Sequence, residues 1–162
     1  MKRNIALAHI DESYPDLAWN QIYTDGSATN AVSNGGAGVV FKDINDQITK
    51  EAIPTGKHCN NYKAEVEALK LAVRMARNSS TEEFNQFVFL TDAASVLDSL
   101  KSGKEQALRN LLKELAENNR VALQWIPSHC GIPGNEAADQ MAKEEQEAHR
   151  LRMILHFMRR KP

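Results

Sequence analysis

The chain has few of the residues that mark secreted, membrane-spanning or zinc-binding proteins. Its 162 residues include two cysteines, Cys59 and Cys130, and neither lies in a CxxC or Cys/His pattern with zinc-ligand spacing. We therefore expect free thiols of a reducing compartment and no zinc site. No apolar run approaches the length of a membrane span, and residues 1–20 lack the features of a signal peptide. The sequence predicts an intracellular protein of the cytoplasm or nucleus, with no membrane partner.

A surplus of positive charge is also missing. The formal net charge is −1, whereas proteins that bind nucleic acid usually carry a basic surface that replaces the counterions of phosphates. Five basic residues follow Ala148, where no acidic residue occurs, so residues 1–147 alone carry −6. The bulk charge therefore does not indicate a nucleic-acid-binding protein. Hydrophobic residues at 42% and charged residues at 25% are ordinary for one globular domain.

The pattern of the chain predicts one domain with a shorter segment at each end. Residues 1–20 are polar and show no convincing period, so we interpret them as a leader or an interdomain linker. Residues 21–147 are expected to form the single globular domain. Residues 148–162 are a basic amphipathic C-terminal extension, in which Leu151, Ile154, Leu155 and Met158 make an apolar stripe among arginines. The extension either contacts nucleic acid or a partner, or packs its stripe on the domain.

Periodicity and turn residues predict an α/β domain. Strands are expected at residues 21–24, 35–41, 47–53, 87–90 and 121–126. Helices are expected from 61 to about 78, at 94–101 and 104–118, and from Glu136 onward. Asn60 or Asn61 would cap the first of these helices, and Asn135 the last. The order βββαβααβα predicts a five-stranded mixed sheet, three antiparallel strands followed by two parallel ones, with helices on both faces.

Two strands of this scheme end in the same dipeptide, Thr24-Asp25 and Thr91-Asp92. In open α/β sheets the carboxyl ends of parallel strands form the ligand crevice, so we expect the two carboxylates to share a site. Taken singly, an aspartate at a strand end is as readily explained by turn chemistry or helix capping. The repetition favours the shared site.

Two further acids could join them. Helical spacing places Glu65 beside Leu69 and Ala72, at the edge of the face that packs on the sheet, where a charge needs a partner. The alternative is a solvated helix glutamate. Asp139 lies in the first turns of the last helix, where it could point into the crevice or simply favour the helix dipole. Four converging acids would repel one another unless divalent cations lie among them, and Mg²⁺ suits a site made of oxygens.

The motifs together resemble type 1 ribonuclease H, and most closely the ribonuclease H domains of non-LTR retrotransposon polyproteins. The resemblance runs from about Gln21 to Glu144 with the same order and spacing of motifs. The residues that carry it are Tyr23-Thr24-Asp25-Gly26-Ser27, Gly35-Gly36-Ala37-Gly38, Ala64-Glu65, Leu90-Thr91-Asp92 and the segment from Ile126 to Asp139.

This resemblance implies the ribonuclease H-like fold and an endoribonuclease that hydrolyses the RNA strand of RNA/DNA hybrids with two Mg²⁺ ions, for which Mn²⁺ can substitute. Asp25 would bridge both ions, Asp139 would hold the ion that activates water, and Glu65 and Asp92 would serve the other. The products would carry 5′-phosphate and 3′-hydroxyl ends. His129 matches a mobile histidine that assists proton transfer or product departure.

The resemblance also implies accessory and substrate-binding residues. Glu136 occupies an accessory acidic position. Asn61 matches a position that contacts the minor groove, and the backbone around Gly26, Ser27 and Ala28 would lie beside the scissile strand. The weaker substrate candidates are Asn60 and Asn135, whose alternative role is capping.

Two other functions remain open at this point. A catalytically idle ribonuclease H-like domain could bind or tether inside a reverse transcriptase polyprotein, and a reverse transcriptase domain of the same parent protein is then a partner. An integrase or resolvase relative would share the acids but not the loop around Ser128 and His129. The intact set of four acids favours the active nuclease.

Overall fold

The computed structural model describes residues 1–29, 34–81 and 83–159, and within them five strands form one sheet. The strands are β1 (Asn20–Ala28), β2 (Gly35–Lys42), β3 (Ile48–Gly56), β4 (Gln86–Thr91) and β5 (Arg120–Trp125). The helices are α1 (Lys2–Ser13), α2 (Asn61–Ser79), α3 (Ala94–Lys101), α4 (Gln106–Ala116) and α5 (Pro133–Arg159). No helix of the described ranges is both long and apolar enough to cross a membrane.

The sheet has the predicted mixed topology. Its strand order is β3-β2-β1-β4-β5, in which β1, β2 and β3 pair antiparallel and β1, β4 and β5 pair parallel. In the parallel pair of β1 and β4, Thr24 lies opposite Thr91. The two aspartates that follow these threonines therefore leave neighbouring strands at the same edge of the sheet.

The core lies on both faces of the sheet because side chains alternate along each strand. On one face, residues such as Ile22 and Phe89 pack against α2, α3 and α4. On the other face, Tyr23 and Leu90 pack with Ala138 of α5 and with Ile10 of α1. The prediction of helices on both faces is confirmed, and α5 is the helix that crosses β1 and β2.

Residues 1–20 contain an element that the sequence did not predict. They form α1, whose residue Ile10 is only 2% exposed, followed by a turn that leads into β1. The apolar residues of α1 do not make a clear helical stripe, and Ile10 is its one buried residue. The element order that omitted this helix was wrong.

Two predicted boundaries also differ from the structure. Strand β1 does not end at Asp25 and Gly26 but continues to Ala28, because β2 pairs with it as far as Gly35. Helix α5 begins at Pro133, so Asn135 lies inside its first turn and does not cap it. Proline is favoured at the first position of a helix, where its missing N–H would have no helical partner.

The C-terminal extension continues α5 without a break to Arg159; residues 160–162, which include Arg160 and Lys161, lie outside the described ranges. The side chains of its apolar stripe are 47–65% exposed. The stripe therefore does not pack closely on the domain, which was one of the two predicted arrangements. The predicted nucleic-acid or partner contact of residues 148–162 stays a prediction.

Candidate active site

The parallel pairing of β1 with β4 places the first two acids. Asp25 follows Thr24, which lies opposite Thr91, and Asp92 follows Thr91. Asp25 is 5% exposed and its strand continues beyond it, so its carboxylate is held by a paired backbone on the β2 side. This agrees with the shared site expected from the repeated dipeptide.

Gly26 allows the third acid to join. A Cβ atom built on Gly26 would lie 2.4 Å from the backbone carbon of Ala64 and 2.4 Å from the backbone nitrogen of Glu65. Only a glycine lets α2 approach β1 this closely. One carboxylate oxygen each of Asp25, Glu65 and Asp92 lies within 4.8 Å of the others. The structure thus brings three of the predicted acids together.

Asp139 lies on the other side of the same cleft, in a second group. Its carboxylate lies with His129 and Glu136, and one ligand atom of each falls within 4.8 Å of the others. The Nζ of Lys143, one helical turn further on, lies 2.6 Å from Asp139 Oδ2. Glu136 also accepts a hydrogen bond from the Gly131 N–H at 3.1 Å. The site therefore consists of two adjoining acidic groups and one lysine.

One open cavity of about 570 Å³ is lined by residues of both groups. It is lined by Asp25, Gly26, Ser27, Ala28, Thr29, Asn61, Tyr62, Glu65, Asp92, Ala93, Ala94, Ser95, Ser128, His129, Asp139 and Lys143. All four predicted acids and His129 line it, whereas Glu136 does not. This cavity is the candidate active-site cleft.

Burial and mutual repulsion make these carboxyl groups hard to ionise. Burial, and then the charges of Asp92 and Asp139, raise the pKa of Asp25 to about 7. Burial, and then the charges of Asp25 and Asp92, raise the pKa of Glu65 to about 9. Burial likewise raises the pKa of Asp92. Without a cation, the raised pKa of Glu65 favours its protonated form beside Asp25 at neutral pH.

The donors present fit a divalent cation. Glu65 Oε2 is buried and has no hydrogen-bond partner among the described residues, which is costly for a carboxylate oxygen unless something positive meets it. The donor set is made of carboxylate oxygens, the ligands of hard cations such as Mg²⁺. A cation would also offset the repulsion that raises the pKa of Asp25 and of Glu65. The two adjoining groups therefore provide the ligand chemistry that the sequence predicted.

The predicted substrate-binding residues separate into two sets. Gly26, Ser27, Ala28 and Asn61 line the cleft, and Asn61 Oδ1 accepts a hydrogen bond from the Ala28 N–H at 2.9 Å. Asn60 and Asn135 do not line it.

Each of those two asparagines has a structural task. Asn60 caps α2 by accepting a hydrogen bond from the Lys63 N–H at 2.8 Å. Asn135 is 2% exposed and lies beneath Asp92, where its amide donates to Asp92 Oδ2 at 3.5 Å. Their role in substrate binding stays a prediction.

Sequence reasoning missed two residues of the site. Lys143 pairs with Asp139, and the spacing of four residues along a helix was the available signal. Gln146 accepts a hydrogen bond from the Ser27 hydroxyl at 2.8 Å and also donates to Thr29, which ties the end of β1 to α5. No local pattern predicts a role for Gln146, because its hydrogen bonds join residues that are far apart in the chain.

The strand order and the acidic cleft at the sheet edge are those of the ribonuclease H-like fold. A crystal structure of ribonuclease H1 from the halophilic archaeon Halobacterium salinarum NRC-1 has the same fold, with a TM-score of 0.65 and 19% sequence identity over 81% of this chain and 99% of that chain. A model of the ribonuclease H family matches residues 19–147. This match covers most of the chain, which therefore belongs to the ribonuclease H family of hydrolases that act on RNA/DNA hybrids.

Proposed function

We propose that this chain is an active endoribonuclease that hydrolyses the RNA strand of RNA/DNA hybrids with two divalent cations and leaves 5′-phosphate and 3′-hydroxyl ends. The observation that carries the proposal is the triad of buried Asp25 and half-buried Glu65 and Asp92, in which Glu65 keeps a buried oxygen without a hydrogen-bond partner among the described residues. A domain that only bound hybrid would gain nothing from so costly a cluster. Mg²⁺ is the proposed cation, and Mn²⁺ its substitute.

The four acids divide the ligand positions between them. Asp25 belongs to the triad, and the charge of Asp139 also raises its pKa, so it lies near both acidic groups. This position supports Asp25 as the ligand shared by both cations, with Glu65 and Asp92 on one side and Asp139 on the other. When bound, the cations would activate a water molecule and stabilise the leaving oxygen.

The remaining residues would handle protons and substrate. His129 stands at the cleft beside Asp139, where a histidine can carry a proton to or from the reacting groups. The Asn61 oxygen is engaged with the Ala28 N–H, so its amide N–H₂ is the part that can meet a 2′-hydroxyl in the minor groove of the hybrid. The hydrogen bond from the Ser27 hydroxyl to Gln146 would hold Ser27 in place beside the scissile strand.

Cleavage of an end-labelled RNA/DNA hybrid tests this function. We expect cutting of the RNA strand with Mg²⁺ or Mn²⁺, none in EDTA, and none of RNA-only or DNA-only duplexes. Asp25→Asn should abolish cutting, and Asp98→Asn should cut like the wild type because the side chain of Asp98 is exposed and does not line the cleft. Binding of hybrid without cutting in either metal would instead support the idle tethering domain.

Several finer points stay predictions. They are the likeness to retrotransposon domains, a reverse transcriptase domain in the parent protein, and an intracellular location. The proposed enzyme also lacks an extra basic helix between α3 and α4, which lie only four residues apart. We therefore expect modest affinity for hybrid with a shallow dependence on salt, because few basic residues would contact phosphates.

A further inference from the structure

Helix α1 lies outside the residues that match the ribonuclease H family, yet it contacts the loop that carries His129. The family match begins at residue 19, whereas α1 spans Lys2–Ser13. Its buried residue Ile10 belongs to the same apolar cluster as Ile126 and Ile132, which stand at either end of this loop. We name residues 127–132 the histidine loop. The helix is therefore an addition to the matched domain, and its one buried side chain lies in the same apolar cluster as both ends of the histidine loop.

The histidine loop has a backbone conformation that must be held from outside. His129 has a φ of +47°, in the left-handed region that residues with a Cβ atom seldom adopt, and Gly131 has a φ of +83°. Such a conformation persists only where the surrounding structure imposes it. One support is the hydrogen bond from the Gly131 N–H to Glu136. Helix α1 supplies contacts on another side.

One residue of α1 contacts the histidine loop, and another packs against the apolar cluster that the loop joins. A methyl group added to Gly131 would lie 3.4 Å from Arg3 Cδ, so the arginine side chain covers that glycine. Leu7 and Cys130, the neighbour of His129, both pack against the cluster that contains Ile10. Helix α1 thus covers the loop at Gly131, and no residue of α1 lines the cleft.

The same helix is anchored to β5, next to the acids. A ring nitrogen of His9 and the hydroxyl of Tyr14 each lie 3.2 Å from Gln124 Oε1. The following residue, Trp125, donates its indole N–H to the backbone carbonyl of Asp92 at 3.3 Å. Helix α1 is therefore fixed to a strand that itself contacts the site, and this fixed position lets it support the loop.

We propose that α1 is a positioning element for the ribonuclease reaction: packed through Ile10 on the ends of the histidine loop, it holds His129 at the cleft. The inference rests on the proposed function, because that function gives His129 its role. Ile10 is a positioning residue, since it is buried and touches neither substrate nor cation. Loosening α1 should therefore slow turnover and leave the affinity for hybrid and for metal unchanged.

The test compares Ile10→Ala with Leu108→Ala. The two side chains are isomers, both are buried, and Leu108 lies in the cluster on the opposite face of the sheet. At a temperature where circular dichroism shows both variants folded, we expect Ile10→Ala to lower kcat at least about fivefold, since small displacements of a reacting group are costly. In Ile10→Ala, KM and the half-saturating Mg²⁺ concentration should stay within about twofold of wild type. In Leu108→Ala, kcat, KM and the half-saturating Mg²⁺ concentration should all stay within about twofold of wild type.

A double-mutant cycle shows whether the effect passes through His129. In a His129→Ala background, Ile10→Ala should cause no further loss of kcat. Equal losses of kcat in Ile10→Ala and Leu108→Ala would overturn the proposal. So would an Ile10→Ala substitution that lowers kcat as much in the His129→Ala background as in the wild type.

Hydrogen exchange gives a readout that needs no activity. Amides of residues 127–132 should exchange faster in Ile10→Ala than in wild type, and those of Leu108→Ala should not. If Ile10→Ala does not fold, Ile10→Val should show a smaller change in the same direction. Unchanged exchange in the histidine loop overturns the positioning role, whereas a wild-type protein that fails to cut hybrid contradicts the proposed function alone.

Discussion

Replacing Asp25 by Asn should make the metal-free protein more stable while it destroys activity. Burial and the neighbouring acids raise the pKa of Asp25 from 3.8 to about 7, which corresponds to about 4 kcal/mol at the 1.36 kcal/mol of one pH unit. Because Asp25 and Glu65 titrate as a coupled pair, only part of this energy belongs to Asp25 alone. We expect Asp25→Asn to raise the free energy of unfolding of the metal-free protein by roughly 2 to 4 kcal/mol. For a chain of this size the melting temperature should rise by roughly 4 to 15 °C.

The sign of the pH dependence follows from linkage. The folded protein binds the Asp25 proton more tightly than the unfolded chain, so this group lowers stability as the pH rises from about 4 to about 7. The advantage of Asp25→Asn should therefore be near zero at pH 4 and complete at pH 8. Saturating Mg²⁺ should stabilise the wild type more than the variant, because the cation binds the folded carboxylates.

Urea unfolding in EDTA at pH 4, 6 and 8, repeated with Mg²⁺ at the upper two values, measures these differences. Asp98→Asn is the matched control, since Asp98 is an exposed aspartate of α3 with a 76% exposed side chain. That variant should unfold like the wild type at each pH. If Asp25→Asn were no more stable than the wild type at pH 8 in EDTA, the account of the site as a cluster of repelling, buried acids would be wrong.

Three further predictions concern the walls of the cleft. Gly26→Ala should lower the free energy of unfolding by about 1 to 3 kcal/mol, measured in urea, because its methyl group would meet the backbone of α2; activity should fall further than stability accounts for. Lys143→Gln should lower the Kd for Mg²⁺ by roughly twofold to fivefold, measured by calorimetry without substrate, because it removes the ammonium group that pairs with Asp139. A raised Kd would contradict this. Asn135→Ala should cost about 1 to 3 kcal/mol of stability and weaken metal binding, because Asp92 loses a buried hydrogen-bond donor; unaltered metal binding would show that Asp92 is positioned without it.

Most of the sheet and the two strand-end acids were predictable because the information is local. Strand alternation and the repeated Thr-Asp dipeptide identify β1 and β4, and parallel pairing then brings Asp25 and Asp92 to one edge. Glu65 could be placed on a helix face, but its approach to Asp25 depends on the missing side chain of Gly26. The ribonuclease H resemblance supplied the roles that spacing alone could not.

The remaining features depend on contacts between distant segments. Helix α1 was missed because one apolar residue, Ile10, anchors it, and a single residue makes no period. The start of α5 was misjudged because Pro133 and Gly134 suggest a loop, although Gly134 allows the helix to pack on the Tyr23 ring. Asn135 was assigned a cap for the same reason, and its contact with Asp92 appears only once α5 packs across β1 and β2.

Helix α5 carries Asp139 near one end and continues to Arg159 as one element of 27 residues. At 1.5 Å per residue, about 30 Å of helix separate these two positions. The exposed end of α5 is therefore a site for a distance measurement. A fluorophore or spin label attached there would report the distance and orientation of an incoming hybrid relative to the cleft. Such a label would lie outside the folded core, so it would measure substrate geometry without disturbing the acids that cut it.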